Sequence, residues 1–97
     1  MSKITEFARG KECQVRIPDV CNRNPETTVH AHLRMAGFNG MGMKPHDAFG
    51  AHACFNCHQA IDRRDYMDLD REYVRGLHKD GVFRTQELLI KAGLLRS

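Results

Sequence analysis

A chain of 97 residues that is 41% hydrophobic and 28% charged has the balance of one small folded domain, which excludes a disordered or fibrous protein. No apolar run approaches the roughly 18 residues of a membrane span. The net charge of +3 suits a polyanionic partner without establishing one, and it sits unevenly: residues 1–44 carry 7 basic and 4 acidic groups, the remainder 8 and 8. The opening MSKITEFARGKECQ lacks the apolar run of a secretion signal, so the expected compartment is the cytoplasm. Thiols stay reduced there, and four cysteines then point to metal binding or catalysis before disulfides.

Residues 1–12 read as an irregular arm. Between Cys13 and Cys21, QVRIPDV holds Pro18 and Asp19, which favour a turn between two short extended pieces; NRNPE at 22–26 is a second turn cluster. TTVHAHLRM, 27–35, opens on β-branched residues and alternates His, Ala, His, the pattern of a short strand. The glycine-rich AGFNGMGMKPHD follows as a hairpin loop or open connection, and AFGAHA returns as a brief extended piece into Cys54. A helix is expected from Phe55 to about Arg64.

Further on, DLDREYVRGLHKDG sets Leu69, Tyr73 and Leu77 on one stripe, with Asp68 as N-cap and Gly81 past the end. RTQELLIKAGLL supplies a last helix with Thr85 as cap, a Leu88–Leu89–Ala92 face and Gly93 as stop. These two segments predict a helical hairpin covering one side of the core. The fold class expected is α+β.

The cysteines fall in two pairs, Cys13 with Cys21 and Cys54 with Cys57, separated by a strand and a loop. A tetrahedral ion that takes two ligands from each of two local structures ties them together, so the expected site is a closed, structural four-thiolate zinc centre. The C-x2-C spacing of the second pair is standard for zinc. The x7 spacing of the first is longer than usual and requires the IPDV turn to bring Cys13 beside Cys21. C-x-x-C-H also serves c-type haem attachment, and C-x-x-C a redox pair. The missing export signal weighs against the first and the missing βαβ setting against the second. Four buried thiols without a ligand are the bland alternative. Since successive helical residues project about 100° apart, His58 points away from Cys54 and Cys57 and is available for another site.

His30, His32, His46, His52 and His58 fall within 29 residues around the glycine loop. His30 and His32, two apart in a strand, face the same side. A helix starting at Phe55 and packed across the hairpin would bring His58 opposite them, with Asp47 nearby. Such a cluster can hold a divalent cation and keep one imidazole as a base.

The run HAHLR, a glycine-containing loop with KPHDAF, then C-x-x-CH resembles the HNH family of nucleases, also called His-Me finger or ββα-metal nucleases, and within it a small prophage-encoded member. The likeness covers roughly residues 13–60, inside a single domain spanning 1–97; the C-terminal helical extension, 66–95, lies outside it. It implies a zinc-stabilised ββα-metal core with additional helices. It also implies that His32 is the general base and that His58, directly after the second C-x-x-C cysteine, holds a catalytic Mg²⁺ or another divalent cation. The family places Asp or His just before the base, whereas this sequence has Ala31, with His30 one residue further back. Its middle Asn, which orients the base, has no counterpart; Asp47 and, before it, His46 stand there instead.

The activity implied is endonucleolytic hydrolysis of DNA or RNA, DNA being the expected partner. Arg34, Lys44, Arg63 and Arg64 are the candidate phosphate contacts. The alternative is a non-catalytic structural-zinc module that binds nucleic acid or a protein partner.

Overall fold

A computed structural model of the chain describes residues 3–33 and 47–95. Within them run α1 (Lys3–Phe7), β1 (Val29–His32), β2 (Gly50–Ala53), α2 (Phe55–Ile61) and α3 (Arg71–Lys91), with single 3-10 turns at Pro25–Thr27 and Asp47–Phe49. The protein is a small α+β structure. β1 and β2 pair antiparallel, His30 opposite His52 and Ala31 opposite Ala51. Alternation therefore puts His30, His32 and His52 on one face and Ala31, Ala51 and Ala53 on the other.

Different elements cover the two faces. Against the histidine face lies Phe7 of α1, its ring 5.9 Å from that of His52. Against the alanine face lies α3, and small residues on both sides let it come close. A Cβ added at Gly81 would meet Val15 Cγ2 at 3.0 Å, the Gln14 carbonyl oxygen at 3.1 Å and Ala51 Cβ at 3.2 Å. The buried stripe of α3 is Val74, His78, Gly81, Val82, Thr85 and Leu89. Its two polar members both bond to the hairpin backbone. His78 Nε2 donates to the Ala31 carbonyl (2.9 Å), and the Thr85 hydroxyl accepts from the His52 N–H (2.9 Å). The long helix thus supplies hydrogen bonds that a two-stranded sheet cannot supply itself. Val15, Ile17, Ala51, Ala53, Cys54, Cys57 and Ala60 belong to the same continuous core.

Several expectations need correction. The arm contains a short helix, α1. The segment from Cys13 to Cys21 holds the expected turn after Ile17, but no extended pieces flank it. The C-terminal helical hairpin is one helix of 21 residues, capped by the Asp70 side chain on the Tyr73 N–H (3.1 Å) rather than by Asp68. Gly81 does not stop it and Thr85 caps nothing; both are interior residues chosen by packing. Gly93, in left-handed backbone at φ 77°, does mark the end. Among the described residues no helix is long and apolar enough to cross a membrane.

Candidate metal centre and active site

Cys13 and Cys21 come together because the chain turns at Pro18–Val20, where the N–H groups of Val20 and Cys21 both donate to the Ile17 carbonyl (3.1 and 3.0 Å). Cys54 caps α2 and Cys57 sits in its first turn. The four sulfurs lie within 4.8 Å of one another. Sγ of Cys21 and Sγ of Cys54 are 3.8 Å apart, and zinc–sulfur bonds of about 2.3 Å in a tetrahedron require about 3.8 Å between sulfurs. Backbone N–H groups aim at the sulfurs as well: Arg16 at Cys13, and Asn22 and Cys57 at Cys54, each at 3.4 Å.

The thiols also hamper one another's ionisation. A hydrogen bond from Cys57 pulls Cys13 well below the ordinary thiol range, while the same bond and burial push Cys57 up. Cys21 is raised to about 11, chiefly by burial. A shared divalent cation removes this conflict, because each sulfur then binds as thiolate. The four cysteines fit a metal ion such as zinc.

The second group of residues gathers where the end of β1 meets α2 and α3. His32 Nε2 lies 2.7 Å from Asp47 Oδ1, both side chains about one-third exposed. His30, its ring edge-on to that of His32 at 5.1 Å, donates Nε2–H to the Asp47 carbonyl (2.7 Å). Asp47 therefore engages both strand histidines, one through its side chain and one through its backbone. On α2, His58 Nε2 is 3.2 Å from Asp62 Oδ2, one helical turn on. A cavity of about 180 Å³ lies between His32 and Asp62, lined also by Arg63, Arg71, Arg75 and His78. A larger hollow of about 490 Å³ lies beside Cys13 and Cys21, but no histidine lines it. The smaller one is therefore where acid–base chemistry is available.

The buried imidazoles stay neutral. Burial lowers His78, opposed by its bond to Ala31 and reinforced by the nearby charges of Arg75 and His58. Burial likewise lowers His30 and takes His52 to about 4. Among the described residues, neither ring nitrogen of His52 and not Nδ1 of His30 finds a hydrogen-bond partner.

The structure thus brings His30, His32 and Asp47 together, and sets His58 beside the same cavity through Asp62. His58 has this carboxylate as its partner. Arg63 points two guanidinium N–H groups at loop carbonyls, Leu69 (2.9 Å) and Met67 (2.9 Å), and so braces the loop. Arg64 is exposed. Arg34, Lys44 and His46 lie outside the described residues. Sequence reasoning missed Asp62 and His78. The first was legible as a carboxylate at i+4 from His58; the second, as a polar residue on the same helical stripe as Val74 and Val82.

The model of a family described as "Putative nuclease YbcO" matches residues 2–94. Two curated relatives carry that description, one from Escherichia coli (strain K12) and one from Enterobacteria phage 82. Each is 45% identical over 97 residues, 100% of either chain. A solved structure titled "Structure of a putative bacteriophage protein from Escherichia coli str. K-12 substr. MG1655" is similar with a TM-score of 0.78 at 45% identity. The match covers 92% of this chain and 98% of that one.

Proposed function

The chain belongs to the putative nuclease YbcO family, and from that premise we propose that it is a metal-dependent endonuclease of the HNH (ββα-metal) kind, hydrolysing phosphodiester bonds of nucleic acid. DNA in the cytoplasm of a prophage-bearing host is the substrate this reading favours. The observation that carries it is a pair of histidine–carboxylate contacts, His32 with Asp47 and His58 with Asp62, each of which contributes one member, His32 and Asp62, to the lining of one cavity.

An ionised carboxylate only accepts hydrogen bonds, so Asp47 fixes the proton of His32 on Nε2 and leaves the lone pair on Nδ1. Nδ1 is then the atom that takes a proton from water as it attacks phosphorus. Asp47 offsets the charge that the ring acquires, and the His30 bond to the Asp47 carbonyl holds Asp47 in place. His58 and Asp62 offer one nitrogen and one oxygen donor to a divalent cation. Two protein donors would suit an ion such as Mg²⁺. Held by His58 and Asp62, such a cation would supply charge neutralisation as the phosphodiester breaks. His78 anchors the strand beside His32 by its bond to the Ala31 carbonyl.

Purified protein incubated with plasmid and Mg²⁺ or Mn²⁺ tests this. Wild type should nick, and His32→Ala should not while melting as wild type does. Equal cutting by both would remove His32 from the mechanism.

One observation favours a second reading, a non-catalytic zinc module that binds nucleic acid or a protein: among the described residues the four cysteines are the sole group of three or more potential ligands within reach of one ion. That reading predicts one metal per chain and no hydrolysis with any cation.

A further inference from the structure

Three guanidinium groups line the His32 cavity, those of Arg63, Arg71 and Arg75, against one carboxylate, Asp62. That carboxylate is already engaged by His58. Arg63 is spoken for as well, bonded to the Met67 and Leu69 carbonyls. Those two bonds fold the stretch between α2 and α3 back on itself and bring the start of α3 to the cavity. Arg71 and Arg75 lie one turn apart on α3 and therefore on the same face, with Cβ atoms about 6 Å apart. Among the described residues no ion pair neutralises Arg71.

Like charges on a solvated convex surface are ordinary. Converging on a concave site, they raise the local potential there. The planar fork of arginine donates two parallel hydrogen bonds to a phosphate, which lysine cannot do. The cavity that holds these arginines also holds His32, so an anion seated there lies beside the lone-pair nitrogen.

We propose that Arg71 and Arg75 on α3 bind a backbone phosphate of the nucleic-acid strand, which makes the C-terminal helix one wall of the nucleic-acid site. The inference rests on the nuclease reading of the His32 cavity and deepens it. It moves the phosphate contact from Arg63, which braces the loop, to the helix that follows. It also assigns function to the part of the chain outside the HNH-like stretch.

Binding of a fluorescent DNA duplex, measured by anisotropy with no added Mg²⁺ or Mn²⁺ across a salt series, separates the outcomes. R71Q/R75Q should weaken binding at least tenfold at low salt. It should also reduce the slope of log affinity against log salt by about 1, since one phosphate contact contributes about 0.9. R71K/R75K should keep most of the slope, and K91Q, at the far end of the same helix, should change neither quantity. Wild-type affinity and slope in R71Q/R75Q overturn the proposal, as does a wild-type protein that binds no DNA. Thermal melts of each variant exclude misfolding, and R71Q and R75Q singly replace the double variant if it unfolds. Loss of binding in R71Q/R75Q together with a wild type that cuts nothing sinks the nuclease reading and leaves this phosphate site standing. Cutting with unchanged KM in R71Q/R75Q does the reverse.

Discussion

Gly50 lies under the imidazole of His30: a Cβ placed on it would come within 2.6 Å of ring Cδ2 and 2.8 Å of Cε1. The glycine is what lets that ring lie flat across the hairpin and reach the Asp47 carbonyl. Gly50→Ala should displace His30, cost about 1–3 kcal/mol as an overpacked site, and loosen Asp47 from His32. Denaturant melts read the first effect and plasmid nicking the second. A variant as stable and as active as wild type would show that His30 has room elsewhere.

The tautomer that Asp47 imposes can be tested separately from the base itself. In Asp47→Asn the side chain keeps its shape but loses its charge and its acceptor-only character. Nicking should fall by about 10- to 1,000-fold, less than for His32→Ala, because a general base is worth about 100- to 10,000-fold. The melting temperature should move little, since the pair is partly exposed. Nitrogen chemical shifts of His32 would report the proton moving off Nε2.

Metal content decides the sulfur site. One zinc per chain is expected, and Cys57→Ser should lose it. Because Cys13, Cys54 and Cys57 belong to the buried core and Cys21 packs against it, removal should cost on the order of 3 kcal/mol or more, seen as a drop in Tm of about 12 °C or more for a domain of this size. Zinc-free protein with an unchanged melt would show that the thiols pack without help.

His52 makes stability fall in mild acid. It is fully buried, its ring nitrogens find no partner among the described residues, and burial, then His30 and Lys11, lowers it from 6.5 to about 4. Above about pH 6.5 the ring is neutral whether folded or not. Between there and pH 4 the unfolded chain takes up a proton that the folded chain refuses, so stability declines as pH falls, by on the order of 3 kcal/mol at pH 4. His30 and His78, both lowered, act in the same direction. His52→Leu should flatten this part of the profile and raise stability at pH 5. Identical pH profiles for variant and wild type would mean that the ring finds a partner.

What the sequence made legible was local. His-Ala-His declared a strand by its alternation, and Cys54 and Cys57 declared by their spacing a pair able to face one ion. The turn at Pro18 that returns Cys21 to Cys13 was readable from its residue types. What it hid were choices made across the fold. Gly81 looks like a helix stop because glycine has that local meaning, yet here it answers to Val15 and Ala51, distant in sequence. Thr85 looks like a cap because its hydroxyl wants a backbone N–H; the N–H it found belongs to His52. His78 showed only its place on the stripe of Val74 and Val82; its partner, a carbonyl 47 positions earlier, had no local sign. Tertiary contact overrode propensity in each case.

A helix unbroken from Arg71 to Lys91 leaves the C-terminal third without an elbow. The chain changes direction at residues 62–70 instead, where Arg63 and Tyr66 hold left-handed backbone (φ 58° and 57°) and Arg63 clasps the carbonyls of Met67 and Leu69. That clasp, not the rod behind it, is the hinge pin by which the helix meets the wall of the His32 cavity.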